Sequence, residues 1–186
     1  MFVPVVLMEN SEKATFEDGR PLIKSTRILN PGKDSAVLPP TPWFLSPLFW
    51  SWLIALFIGV MVCHNILIHR LTLSLYVVWF FILGLAGCLI AFLVFISVHE
   101  STSPNILIFW LNPFQFLFAF SIGIKKLRSI ASAMAYYNIV AVGILLILSP
   151  FITQSFNPAF FPLMLATLGL AAGYAIIGNK SSYRSI

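Results

Sequence analysis

Residues 71–98 read LTLSLYVVWFFILGLAGCLIAFLVFISV and contain no Asp, Glu, Lys, Arg or His. About 20 consecutive apolar residues in a helix cross the roughly 30 Å hydrocarbon core of a bilayer, so this stretch predicts a membrane-spanning helix. The rest of the chain has the same character, because 59% of its 186 residues are hydrophobic and only 9% are charged. Soluble domains carry about 25% charged residues. The sequence is therefore that of a polytopic membrane protein.

Four more apolar segments surround this one, and each is long enough to cross the membrane, some with tilt. They cover approximately residues 45–68, 106–124, 130–151 and 158–177. We expect an all-α membrane protein with a bundle of five transmembrane helices. The predicted parts are an extramembrane tail with a proline-rich hinge (residues 1–43), the membrane domain (44–178) and a cytoplasmic tail (179–186).

The positive charges predict the orientation of the bundle. Beyond residue 43 the chain has six basic residues: Arg70, Lys125, Lys126, Arg128, Lys180 and Arg184. They lie in two loops and the C-terminal tail, and these alternate along the chain with two loops that contain no Lys or Arg. Basic loops remain in the cytoplasm, so the N-terminus is predicted outside and the C-terminus inside. The net charge of +5 comes with no basic patch interleaved with aromatic residues, and we expect no nucleic-acid partner.

The N-terminal 43 residues differ from the rest and hold five of the six acidic residues. The beginning lacks a basic region and its apolar run is interrupted by Pro4, which is not the pattern of a signal peptide. Further along, Asp18-Gly19 predicts a turn flanked by short strands, a β-like tail outside the membrane. Three prolines in VLPPTPW (37–43) then predict an extended hinge.

An unusually polar stretch, HESTSPNILIFWLNPFQF, covers residues 99–116 and leads into the third apolar segment. Pro104 suits the first turn of a helix with Ser103 as its cap. Asn112-Pro113 interrupts that helix, and Asn112 is expected to cap a new one. Residues 114–124 would extend only about 16 Å, so we expect a kinked span or a re-entrant piece followed by a span. Two interpretations stay open: an ordinary proline kink, or a functional cavity near the outer leaflet.

Few side chains in the predicted spans suit catalysis. Cys63 and His64 are adjacent in one helix and so do not face each other. The sequence contains no CxxC pattern, which would have indicated a metal site. We assign no catalytic residue, metal or cofactor. His99 and Glu100 lie at the outer end of the second segment, either as an interfacial pair or as a contact for a lipid headgroup or a catalytic domain.

Three weaker patterns concern packing. Gly169-Leu-Ala-Ala-Gly173 allows close approach of helices, within the chain more readily than between two copies. Polar side chains on the fourth segment are expected to form hydrogen bonds across helices, namely Tyr136, Tyr137 and Asn138. Tryptophans cluster toward the predicted outer side, as in an interfacial aromatic belt: Trp43, Trp50, Trp52 and Trp110.

The segment from His99 through Asn105-Ile-Leu-Ile-Phe-Trp110-Leu-Asn112-Pro113 resembles the H…N-x-N-L-L-W-x-N-P stretch of Lnb-type lipoprotein N-acyltransferases. More specifically, it is similar to their C-terminal five-helix membrane domain. Upstream, Asp18-Gly19-Arg20-Pro21-Leu22-Ile23-Lys24 resembles the DG-x-P-L-V-K piece that ends the family's periplasmic domain. The chain departs from the pattern in that Leu107 or its neighbour replaces the second Asn, and Ile and Phe replace the Leu pair.

The resemblance implies a bacterial inner-membrane protein that anchors a periplasmic catalytic domain and presents lipid substrate. The implied partners are membrane phospholipid, a diacylated lipoprotein and that catalytic domain. The family's catalytic Cys and His lie in N-C-[AT]-T-R and G-H contexts that this sequence lacks, so we expect the chain alone to be inactive and the catalytic domain to precede Met1. The candidate lipid or domain contacts are His99, Glu100, Asn105, Trp110, Asn112 and Pro113. The alternatives are a non-enzymatic scaffold subunit of a cell-envelope complex and, ranked last, a small transporter.

Overall fold

The computed structural model describes residues 10–11, 13–23, 42–96, 105–152, 154 and 156–178. The chain divides into two compact units, residues 1–40 and 41–186. In the first unit, the predicted turn is present: Gly19 has a φ of 80°, and one antiparallel bridge joins Thr15 to Pro21. The flanking strands that we expected are reduced to this bridge within residues 13–23. The Arg20 guanidinium donates to Asp18 at 2.7 Å and lowers the pKa of that carboxyl.

The described residues of the second unit form helices joined by turns and irregular stretches, with no strand among them, in agreement with the predicted all-α class. Its α-helices are α1 (Pro47–Ile68), α2 (Leu73–Phe95), α3 (Gln115–Ser121), α4 (Arg128–Leu148) and α5 (Phe160–Ile177). Short 3₁₀ turns cover Trp43–Leu45, Ile106–Phe109, Lys125–Leu127 and Ser149–Phe151. Four helical stretches in the described part are long and apolar enough to cross a membrane: α1, α2, α5 and the stretch Lys125–Phe151 that includes α4.

Local sequence explains where α1 begins and ends. The Ser46 hydroxyl accepts a hydrogen bond from the Phe49 amide at 3.2 Å, and Pro47 occupies the first helical position, where no amide hydrogen is needed. At the other end, His69 adopts the left-handed conformation with a φ of 52°, which terminates the helix. The Thr72 hydroxyl then donates to Asn65 Oδ1 at 2.9 Å, which ties the short connection to α2 back onto α1.

The helices pack in a continuous series: α1 contacts α5, α5 contacts α4, α4 contacts α3, and α3 contacts α2. The interior contains several fully buried side chains, including Tyr76, Phe80, Phe118, Met164 and Tyr174. The outer faces are also apolar, and large side chains such as Leu67, Phe95, Ile147 and Phe151 are at least 71% exposed. A soluble domain does not cover itself with so much exposed hydrocarbon, so these faces fit a lipid environment.

The third apolar segment is not the kinked long helix that we considered. Its only α-helix among the described residues is α3, whose seven residues extend about 10 Å. Asn112 does not cap this helix: its N-cap residue is Phe114, with no side-chain cap. Instead, the Asn112 side chain is used in contacts between elements, described below. The predicted cap Ser103 and first-turn Pro104 lie outside the described residues.

Candidate functional site

Residues 105–127 run from one end of the bundle to the other. At one end, the Ile106 amide donates to Gln154 Oε1 at 3.0 Å, in the connection between α4 and α5. At the opposite end, the Arg128 guanidinium donates to the carbonyl of Gly178, which follows α5. The two ends of the segment are thus separated by the length of α4, about 31 Å. The segment covers this distance as a 3₁₀ turn, an irregular stretch at 110–114 and α3, and we call residues 105–127 the broken segment.

Asn105 fixes the beginning of the broken segment. Its side-chain oxygen accepts a hydrogen bond from the Leu107 amide at 3.1 Å, which caps the 3₁₀ turn. The same oxygen accepts a second hydrogen bond from Gln154 Nε2 at 2.9 Å. The other side-chain atom of Gln154, Oε1, accepts from the Ile106 amide, so two hydrogen bonds join the segment to the α4–α5 connection. Sequence analysis identified Asn105 but not its partner.

Trp110 and Trp79 meet at one hydroxyl in the interior. Both indole Nε1 atoms donate to Thr167 Oγ1 at 3.1 Å, and that hydroxyl donates to the Leu163 carbonyl at 2.9 Å. The hydroxyl therefore uses its single donor and both of its lone pairs. Trp110 is only 1% exposed, so its predicted place in an interfacial belt is wrong. It is a core residue that joins the broken segment to α5.

An amide pair joins the broken segment to α4. Gln115 Nε2 donates to Asn138 Oδ1 at 2.8 Å, and Asn138 Nδ2 donates back to Gln115 Oε1 at 3.1 Å. The remaining amide hydrogens reach backbone carbonyls, those of Trp110 and Met134, both at 2.8 Å. Both side chains are fully buried. The Gln115–Trp110 bond satisfies a carbonyl that has lost its helical partner at the break, which is the requirement for irregular backbone at membrane depth.

Asn112 and Tyr137 bind the same carbonyl at the break. The Tyr137 hydroxyl donates to the Phe109 oxygen at 2.7 Å. Asn112 Nδ2 donates to the same oxygen at 3.4 Å and to the Tyr137 hydroxyl at 3.1 Å. The predicted hydrogen bonds across helices from Tyr137 and Asn138 are therefore confirmed. Asn112 Oδ1 is buried and finds no donor among the described residues.

The break also brings backbone against backbone. Gly87 of α2 lies directly against the main chain of Asn112, and an added Cβ would overlap the Asn112 backbone. One turn earlier, a Cβ on Gly84 would lie 2.8 Å from the Phe116 ring. Because glycine has no side chain, Gly84 and Gly87 allow the broken segment to pack directly against the backbone of α2.

Residues 40–182 match the family described as the Lnb transmembrane domain. The chain belongs to this family. The match covers more than half of the sequence and includes all five helices α1–α5. No curated protein and no solved structure matches the chain. Family membership and the apolar helices together identify a multi-pass membrane domain.

Of the six candidate contact residues, the structure describes four. Asn105, Trp110, Asn112 and Pro113 all lie in the first half of the broken segment. Trp110 and Asn112 are buried, while Asn105 and Pro113 are partly exposed. His99 and Glu100 lie outside the described residues. The sequence did not indicate Gln115, Gln154 or Thr167, although two of these polar side chains are completely buried.

Proposed function

We propose that this chain is the membrane module of a lipoprotein N-acyltransferase-like protein. In this proposal the module sits in the bacterial inner membrane, anchors a periplasmic catalytic domain and presents lipid substrate to it. The observation that carries the proposal is the match to the Lnb transmembrane domain over residues 40–182. The partners would be membrane phospholipid, a diacylated lipoprotein and the catalytic domain, whose Cys and His would perform the acyl transfer.

The broken segment has a specific part in this proposal. We assign it the fifth membrane crossing, because it reaches from the Gln154 end of the bundle to the Gly178 end. Its hydrogen bonds to α4, α5 and their connection hold an irregular chain in a fixed position, which a flexible proline kink would not achieve. Asn105 lies where this crossing begins and is partly exposed, and we assign to this end of the bundle the contact with substrate or with the catalytic domain.

A fusion protein tests the proposal. The chain is joined to the catalytic domain of an Lnb-type acyltransferase and produced in bacteria that lack their own lipoprotein N-acyltransferase. We expect a third acyl chain on the lipoprotein N-terminus, measured by mass spectrometry of the N-terminal peptide. The control carries the same catalytic domain on an unrelated five-span anchor. Equal acylation by both proteins would reduce the module to an anchor. Failure of the fusion alone would favour a scaffold subunit.

Point variants of the active fusion test the contact residues. We expect about a tenfold or larger loss of acyl transfer in at least one of His99→Ala, Asn105→Ala and Asn112→Ala. Gln154→Ala is the control, because it removes the hydrogen bond between these two side chains, as Asn105→Ala does, but leaves the Asn105 side chain and its bond to the Leu107 amide in place. If Gln154→Ala loses as much activity as Asn105→Ala, the role of Asn105 is structural. Full activity in all three alanine variants would rule out substrate contact by these residues.

A further inference from the structure

A narrow groove lies on the surface of the bundle between α1 and α5. It follows one face of α1 from Trp52 to Leu67 and one turn of α5 from Leu165 to Gly169, and its volume is about 710 Å³. Both walls belong to helices that are apolar and long enough to cross a membrane. The groove is therefore at a depth where hydrocarbon is the surrounding solvent.

Missing side chains create the groove. Gly59 and Gly169 both line it, and a Cβ added to either would meet no heavy atom within 4 Å. Gly173, one turn after Gly169, differs: a Cβ there would lie 2.9 Å from the Tyr76 hydroxyl and 3.0 Å from Val62. Within the GxxxG pattern, Gly173 thus serves close packing inside the bundle, as predicted, while Gly169 leaves space unfilled.

The dimensions select the kind of occupant. Along α1 the groove extends over 15 residue steps, about 22 Å, and its mean cross-section is therefore about 30 Å². A helix about 10 Å in diameter has a cross-section of roughly 80 Å² and could lie over the groove but not within it. A single polymethylene chain, with neighbours about 4 Å away, needs roughly 20 Å² and does fit. The length exceeds half of the roughly 30 Å hydrocarbon core, which is the depth available to one acyl chain.

The polarity of the lining agrees with these dimensions. Apart from the His64 imidazole and the Trp52 indole, the groove is lined by aliphatic side chains, glycine and the Cys63 thiol, which behaves as a small apolar group. His64 lies four residues, about 6 Å, before the end of α1. From His64 toward the middle of α1 the groove is apolar, which matches a phospholipid headgroup followed by its acyl chain. The Trp52 indole lies at the opposite end, beyond the reach of a chain that ends at the bilayer midplane.

We propose that the groove between α1 and α5 binds one acyl chain of a membrane phospholipid, with the headgroup end near His64 and the terminal methyl near Gly59. Lipid tails are as apolar as leucine, so burial of hydrocarbon does not itself favour this site over the bulk bilayer. Binding comes from close contact along the chain. The proposal goes beyond the proposed function and needs no acyl transfer, so the two can fail separately.

Photo-crosslinking of the full chain in phosphatidylethanolamine–phosphatidylglycerol vesicles tests the site. One phospholipid probe carries a diazirine near its carbonyl and another carries it near the terminal methyl. We expect the first to label residues near His64 and Leu67, and the second to label residues near Ala55 and Gly59, each at least fivefold above the exposed face of α4. Equal labelling of all outer faces, or labelling that ignores the position of the diazirine, would overturn the proposal.

Variants that fill the groove give the second measurement. Gly59→Leu and Gly169→Leu are expected to reduce labelling at least fivefold, because their side chains occupy the space of the acyl chain. Gly143→Leu on α4 is the matched control, since its Cβ also meets no atom within 4 Å but does not line the groove. Unchanged labelling in the filled variants contradicts the proposal. So does oxidative crosslinking of Cys63 between two copies in a Cys88→Ala background, which would show that a second chain covers the groove.

Discussion

Thr167 shows how a single side chain can support an irregular piece of membrane protein. Its hydroxyl accepts from the indoles of Trp79 and Trp110 and donates to the Leu163 carbonyl. Two large aromatic side chains from different elements are thereby fixed to one point on α5. Trp110 is 1% exposed and Thr167 is completely buried, so no solvent can replace these bonds if the hydroxyl is lost.

Thr167→Val should therefore destabilise the protein by about 1–2 kcal/mol, since the buried indole of Trp110 and the partly buried indole of Trp79 lose their acceptor while the volume stays similar. The measurement is unfolding of the purified protein in detergent, followed by tryptophan fluorescence. Thr167→Ser is the matched control because it keeps the hydroxyl. If Val and Ser give equal stability losses, the effect comes from packing, and the hydrogen bonds contribute nothing measurable.

At the scale of single residues, the sequence predicted which polar side chains form hydrogen bonds across helices, but not the residues to which they bind. The expectation that Tyr137 and Asn138 form hydrogen bonds across helices followed from polar side chains within an apolar segment, and it is confirmed. Their partners were not predictable, because Gln115 is 23 residues from Asn138 and its position depends on where the chain breaks. Trp110 was assigned to an interfacial belt because the predicted topology places it toward the outer side. Its burial depends on the packing of its indole against Thr167, which the topology does not reveal.

At the scale of elements, the broken segment is the feature that distinguishes this bundle from five regular helices. Proline at 113 removes an amide donor and disfavours helix at residue 112, which predicts the interruption. The position at which helix resumes was not predictable from these rules. The α-helix resumes at Gln115 rather than at Pro113, and the Asn112 side chain binds Tyr137 instead of capping α3. A contact between elements thus replaced a local cap.

Close approach of α2 to the broken segment gives a prediction for the element. Gly87→Ala should cost about 1–3 kcal/mol, because the added Cβ overlaps the Asn112 backbone and either α2 or the segment must move. The measurement is thermal unfolding in detergent. Gly84→Ala should cost less, since the Phe116 ring can rotate away.

Gly143→Ala on α4 is the matched control for this experiment. Its Cβ would meet no atom within 4 Å, and alanine favours helix over glycine, so stability should be unchanged or rise by up to about 1 kcal/mol. Equal effects of Ala at positions 87 and 143 would show that α2 and the broken segment do not touch at Asn112. The argument that glycine permits the break would then be wrong.

At the scale of the whole molecule, the class of the fold was predictable from the sequence, because apolar segments of about 20 residues are typical of transmembrane helices. Four described helical stretches meet the requirement for a span, and the family match covers the bundle. The groove between α1 and α5 was not predictable, because it depends on which of two similar glycines faces a neighbour. Gly173 contacts Tyr76 and Val62, while Gly169 faces open space. A pattern such as GxxxG does not distinguish these two cases.

The orientation in the membrane is the last prediction, and it rests on charge. The basic residues of the α1–α2 connection, of Lys125–Arg128 and of the C-terminal tail should all be cytoplasmic, since translocation of Lys and Arg in short loops is disfavoured. Single cysteines are introduced at Thr102 and at Lys126 in a Cys63→Ala/Cys88→Ala background. A membrane-impermeant maleimide added to spheroplasts should label position 102 directly and position 126 only after permeabilisation. Labelling of position 126 alone from outside would show that the orientation is opposite to the predicted one. Labelling of both positions from outside would mean that the broken segment returns to the side it entered and is not a crossing.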